Sequence, residues 1–187
     1  MDSKLQIISG KYKGKKLRIP PCSRPTQQKA RGAVFNMLAE FVANGDWFVW
    51  DAFAGSGAMG MEFISRFNAK SAIFTDVNAS AVRCVKENTK NITDCKIIVK
   101  KNDAMQTIKK IPMSNSQFVI FIDPPYSAPI LGEKLLANLT QNAPNSTIAV
   151  LEIENDLPFN NPHWNILKDK TCGRARFLIL KRNIPVL

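Results

Sequence analysis

The chain has 187 residues, 45% of them hydrophobic, a size and composition that fit one ordinary globular unit. No window approaches the roughly 18–20 continuous apolar residues of a membrane-spanning helix, and the opening stretch MDSKLQIISGKYKGKK lacks the apolar core of an export signal, so a cytoplasmic protein without membrane attachment is expected. The formal net charge is +11, and +8 of it lies in residues 1–31, where nine Lys or Arg stand against Asp2 alone.

Such concentration attracts polyanions, chiefly by neutralising phosphates and releasing their counterions. The candidate phosphate contacts are Lys11, Lys13, Lys15, Lys16, Arg18, Arg24, Lys29 and Arg31. They alternate with Gly and Pro rather than lining an amphipathic helix, which speaks against a membrane surface. The four cysteines at positions 22, 84, 95 and 172 form no C-x-x-C and adjoin no histidine cluster. Neither a metal site nor a disulfide framework is expected from them. His163 is the only histidine, and no nucleophile elbow exists for it to serve.

Along the chain, LQIISGKYKGKKLRIP carries two short apolar-alternating runs around a Gly- and Lys-rich centre, the pattern of a β-hairpin with a basic tip. Pro20, Pro21 and Pro25 break the chain, and Thr26 is the expected N-cap of a helix over QQKARGAVFNMLAEFV. Val34, Phe35, Leu38, Phe41 and Val42 recur there at helical spacing, while Gly32 weakens the first turns. From about residue 47, apolar strands alternate with amphipathic helices. WFVWDAF, SAIFTDV, KIIVK, QFVIFID and STIAVLEI read as strands. MGMEFISRF, Ser80 to Lys90 and ILGEKLLANLTQN read as helices, with a further helix-like segment before QFVIFID. This βαβα texture predicts a mostly parallel sheet covered on both faces. WNILKD and RARFLILKR meet around Gly173 with no room for a crossover helix, so they should pair antiparallel.

Open parallel sheets bind ligands beyond the carboxyl ends of their strands. Four acidic positions fall at such ends: Asp51, which opens the run to Gly57, then Asp76, Asp103 and Asp123. Gly55, Gly57 and Gly60 spell G-x-G-x-x-G, which lets a ligand approach the backbone and the amino terminus of the next helix. Asp76 suits ribose hydroxyls. These residues leave NAD and S-adenosylmethionine equally open. DPPY at Asp123 to Tyr126 separates them. Two consecutive prolines fix the backbone and remove two donors, leaving carbonyl acceptors beside a carboxylate and a flat ring. Hydride transfer has no evident use for that grouping. A nucleobase amine does, because acceptors on both its N–H groups localise a lone pair otherwise delocalised into the ring.

DAFAGSGAMGMEFISR, TDVNASAV, NDAM and IDPPY resemble motifs of class I S-adenosylmethionine-dependent amino-methyltransferases. IISGKYKGKKLRIP, RPTQQKARGAVFNML and GRARFLILKR narrow the resemblance to RsmD-type small-subunit (16S) rRNA guanine-N2 methyltransferases, over nearly the whole chain. The family usually follows RPT with Thr or Ser, an Asp and RVRE; here Gln28 replaces the acidic residue and Gly32 the Glu, while Arg24 and Arg31 remain.

The resemblance implies a Rossmann-like, doubly wound, seven-stranded, mostly parallel α/β sheet with an antiparallel last strand, plus an amino-terminal hairpin and helix. Residues 1–45 would be a basic extension that binds RNA, and residues 46–187 the catalytic domain. S-adenosylmethionine would be the cofactor, with Asp51, Gly55 and Gly57 along its methionine part, Asp76 at the ribose and Asp103 at the adenine amino group. Phe53, Ala54, Val77 and Ala104 complete that set, and Asp123, Pro124, Pro125 and Tyr126 would be catalytic, taking the target guanine. The implied substrate is small-subunit rRNA or the assembled small ribosomal subunit, methylated by a monomer without metal. Methylation of adenine or cytosine in DNA or another RNA is the alternative enzyme, although 187 residues leave no room for a long target-recognition insertion. A non-catalytic RNA-binding module on a decayed fold and an NAD oxidoreductase are the other classes weighed, and intact FAGSG and DPPY oppose the first.

Overall fold

The continuous apolar run at Trp47 cannot present a wetted face, and it lies at the centre of a sheet. The protein's structure, a computed structural model, describes residues 5–21, 28–42, 44–111, 117–144 and 146–183. Strand β1 (Trp47–Asp51) pairs in parallel with β2 (Ala69–Asp76) on one side and β4 (Gln117–Ile122) on the other. Parallel pairing continues outward to β3 (Lys96–Lys101) beyond β2 and to β5 (Ile148–Glu154) beyond β4. The remaining strands, β6 (Trp164–Cys172) and β7 (Ala175–Arg182), form an antiparallel hairpin turned at Gly173, whose φ is +67°. β7 is antiparallel to β5, and the order is β3-β2-β1-β4-β5-β7-β6. This is the seven-stranded sheet with its antiparallel last strand.

Helices cover both faces. α1 (Gln28–Val42) and α2 (Ala58–Arg66) share a cluster with Val49, Phe74, Phe121 and Phe177. α3 (Ala79–Thr89) contributes Val85 to the same side. On the opposite face Trp50, Ile120, Ile122 and Leu151 meet Leu135, Leu136 and Leu139 of α5 (Ile130–Asn142). Val49 and Trp50, adjacent in sequence, belong to different clusters, as the two-residue period of a strand requires. The helix-like segment between β3 and β4 is a single turn, α4 (Ala104–Thr107), continued by a 3-10 turn at Ile108–Lys110. Among the described residues no helix is long and apolar enough to cross a membrane.

The amino-terminal hairpin forms, with an antiparallel bridge between Gln6 and Lys16 and cross-strand bonds from Ile7 N–H to the Lys15 carbonyl at 3.0 Å and from Leu17 N–H to the Leu5 carbonyl at 2.9 Å. Other backbone donors of the segment go to α2. Ile8 and Ser9 N–H donate to the Glu62 carboxylate at 2.8 and 3.1 Å, and Tyr12 N–H to Ser65 Oγ at 2.9 Å. Gly10 makes the close approach possible: at φ +83°, a Cβ there would lie 1.9 Å from the Ser65 carbonyl oxygen. Leu5, Ile7 and Leu17 are buried in the cluster that holds α1 and α2. The extension therefore shares its core with the sheet.

That packing corrects one candidate phosphate contact. Arg31 is 0% exposed. It donates from Nη2 to the Gln6 carbonyl, and its Nε lies 3.6 Å from Glu62. Desolvation pulls its pKa down, and Glu62 counters this. Arg31 is a strut between α1, α2 and the hairpin, out of reach of any RNA. Arg24 and Thr26 lie outside the described residues.

Candidate active site

The sheet order places chain connections on opposite sides of β1 and β4, which opens a crevice beyond their carboxyl ends. The glycine turn after β1 is anchored on both neighbours. Ala52 N–H donates to the Phe121 carbonyl of β4 at 3.0 Å, and Ala54 N–H to the Thr75 carbonyl of β2 at 2.9 Å. Beneath it, the buried Trp50 indole donates to Thr75 Oγ1 at 2.9 Å, and that hydroxyl donates to the Ala52 carbonyl at 3.0 Å. Gly55, at φ +52°, then gives its N–H to Asp76 Oδ2 at 2.9 Å.

Above the turn lies a cavity of about 540 Å³. Asp51, Phe53, Ala54, Gly55, Asp76 and Val77 line it from one side, and Asp103 and Ala104 from another. Asp123, Pro124, Pro125 and Tyr126 close it. The strand-end acidic residues and the double-proline corner thus meet at one place. Gly57 is set back from this lining. Its φ of +78° starts α2, and a Cβ would lie 3.0 Å from Met61 Cε and 3.3 Å from Val85 Cγ2. Gly60 likewise serves packing, since a Cβ there would lie 2.4 Å from the Phe74 ring. Ser56, Met59, Asn78, Asn102 and Leu131 also line the cavity. Asn78 and Asn102 were findable, because they flank the same strand ends as Asp76 and Asp103.

Each carboxylate has a distinct setting. Asp51 is 3% exposed and accepts the Gly60 N–H at 3.0 Å. Burial pushes its pKa up to about 7; the Gly60 N–H opposes this, and the charge of Asp76 adds to it. Asp76 holds the loop with both oxygens, Oδ1 accepting Asn78 N–H at 2.8 Å. Asp103 caps α4, its Oδ1 accepting Met105 N–H at 2.8 Å. Tyr126 leaves its ring 59% exposed and donates its hydroxyl to Glu152 Oε1 at 3.2 Å. Burial first, then Glu152, push its phenol up to about 12, so the ring stays neutral at physiological pH. Among the described residues no group of His, Cys, Asp or Glu is arranged to hold a metal ion.

The proposed phosphate contacts lie apart from the cavity lining. Lys13, Lys16, Arg18 and Lys29 are exposed and Lys15 half-buried. Lys11 is exposed but paired with Asp94 at 2.5 Å, beside the Tyr12 hydroxyl that donates to the same carboxylate.

Comparison with known proteins places this geometry in a lineage. The family described as conserved hypothetical protein 95 matches residues 5–181. The ribosomal RNA small subunit methyltransferase D of Escherichia coli is 29% identical over 95% of this chain and 90% of its own. Its namesake from Haemophilus influenzae is 31% identical over 90% and 89%. A solved Escherichia coli structure superposes with a TM-score of 0.77 at 25% identity, covering 96% of this chain and 98% of that one.

Proposed function

The chain belongs to the conserved hypothetical protein 95 family, and we propose that it is an S-adenosylmethionine-dependent methyltransferase acting on the exocyclic N2 amine of a guanine in small-subunit rRNA. The observation that carries this reading is the single cavity shared by the glycine turn and the DPPY corner. Its volume of about 540 Å³ falls within the roughly 300–1,000 Å³ of cofactor sites. Its acceptor set suits the cofactor: a buried carboxylate at Asp51 for an ammonium, Asp76 for ribose hydroxyls and Asp103 for an adenine amine.

When bound, S-adenosylmethionine supplies an electrophilic methyl on a sulfonium. The chain's own residues do the rest. Asp123 and the Pro124 carbonyl accept the N–H groups of the guanine amine, so its lone pair localises toward the methyl. Prolines at 124 and 125 keep donors out of that corner. Acceptors fixed in advance cost no reorganisation when charge develops, and holding amine and methyl in line removes much of the entropic barrier. Tyr126 stacks on the base, which contributes on the order of 1–3 kcal/mol. The base leaves its own stack to reach Asp123. The protein acts as a cytoplasmic monomer on rRNA, free or within the small subunit, gripping the backbone with its basic extension.

Asp123→Ala should abolish methylation while cofactor affinity, measured by calorimetry, stays within a few-fold. Surviving turnover would refute the amine-acceptor role. Methyl incorporation should go into small-subunit rRNA or particles and not into duplex DNA; the reverse preference would transfer the enzyme to the DNA alternative.

A further inference from the structure

A second concavity, of about 560 Å³, lies between the Arg18–Pro21 segment and α3. Arg18, Pro20 and Pro21 form one wall, and Ser80, Arg83, Lys86 and Glu87 the other. Its construction is specific. Asn88, 4% exposed on α3, accepts Arg18 N–H through Oδ1 at 2.8 Å and donates from Nδ2 to the Arg18 carbonyl at 2.9 Å. Cys84 Sγ donates to the same carbonyl at 2.9 Å. The main chain at Arg18 is thus clamped against α3 on both its polar groups.

The charges in this groove are unbalanced. Arg18, Arg83 and Lys86 are exposed and form no ion pair among the described residues. Some cations elsewhere do have partners, among them Lys70 with Asp46, Lys168 with Glu40 and Arg176 with Asp169. Three cations around one concavity that holds only Glu87 repel one another, and an anion seated between them relieves that repulsion.

Hydrogen bonds tie the groove wall to the cavity above the glycine turn. Ser80, on its wall, donates its hydroxyl to Asn78 Oδ1 at 2.8 Å, and Asn78 lines that cavity. The Asn88 amide that clamps Arg18 gives a further bond to the Ser56 carbonyl of the glycine turn, at 2.9 Å.

We propose that this groove binds the backbone phosphates flanking the nucleotide whose base enters the cavity, with Arg83 and Lys86 of α3 as phosphate contacts alongside Arg18. The inference rests on the reading of the protein as an rRNA methyltransferase and adds to it a second track for the RNA strand. Extended single-stranded backbone fits because the groove is open and carries cations on both walls, Arg18 on one and Arg83 and Lys86 on the other, so that phosphates can be held without base readout.

The test is Arg83→Gln with Lys86→Gln, compared with wild type and with Lys168→Gln as a paired-cation control. Affinity for small-subunit rRNA is measured across a salt series. Two lost phosphate contacts should reduce the slope of log affinity against log salt by roughly 0.7–0.9 each. RNA binding at low salt should weaken about tenfold or more, raising KM for RNA, while cofactor affinity and Tm match wild type. The control should keep the wild-type slope. An unchanged slope in a variant whose wild-type parent methylates rRNA would overturn the groove and leave the enzyme reading standing. A wild-type protein that binds no RNA would overturn both. Loss of binding to the assembled particle alone, with naked-RNA binding unchanged, would assign the groove to a protein surface and also overturn the inference.

Discussion

Asp51 carries the largest electrostatic tension in the site, and its pH behaviour follows. Its folded pKa of about 7 lies above the ordinary carboxylate value, so the protonated form is the one folding favours. Stability from this group is complete below the unfolded carboxylate pKa and is lost as pH rises through about 7. Asp51→Asn should therefore raise Tm relative to wild type at pH 8, with the gap closing toward pH 5 in thermal melts. Cofactor binding runs the other way, because an ammonium partner requires the ionised carboxylate. Calorimetric affinity should fall about tenfold per pH unit below 7 and level off above it. A flat profile would remove Asp51 from the ammonium contact. Gly60→Ala makes a separate test of shape: with Phe74 in the way, overpacking should cost about 1–3 kcal/mol in urea unfolding. The acidic residues at strand ends were legible because strand ends are legible. Arg31 was not, since a cation's burial depends on Glu62, which sits on a helix distant in sequence.

Elements were readable wherever an apolar period ran unbroken. The helix over ILGEKLLANLTQN occupies Ile130–Asn142, and KIIVK extends by one residue to Lys101. The hairpin read from LQIISGKYKGKKLRIP forms, but its docking on α2 was not readable, for a physical reason. Alternation predicts which residues face a core, and Leu5, Ile7 and Leu17 do face it. It does not predict that the backbone donors of Ile8 and Ser9 will bond a buried carboxylate on α2. Glu62, 0% exposed, also takes Arg66 Nε at 2.6 Å. Removing one partner from such a buried charged set strands the others, at about 3–5 kcal/mol. Glu62→Ala should lose stability on that scale in denaturant titrations, and protease should then cut first between the hairpin and α1. A loss under about 1 kcal/mol would mean that water already satisfies the site.

The amino-terminal extension and the sheet share a cluster of buried side chains, so the chain should unfold as one body. Division into a basic extension and a catalytic domain followed the charge, which is concentrated in residues 1–31; the packing does not follow the charge. Removing residues 1–20 should accordingly expose Phe35, Phe63 and their neighbours, giving an insoluble chain or a Tm far below wild type. Calorimetry on the full chain should show a single transition, and two separable transitions would contradict a common core.

The placement of β7 has a bearing on how the chain is made. It sits inside the sheet, between β5 and β6, although β5 and β6 both precede it in sequence. During synthesis the apolar edge of β5, from Ile148 to Leu151, therefore waits without a neighbour while everything from Asn155 to Cys172 leaves the ribosome. An open edge of that kind invites pairing with other chains. The β6–β7 ribbon turns tightly at Gly173, and an isolated two-stranded ribbon is marginal in water, so its docking on β5 both covers that edge and completes the ribbon.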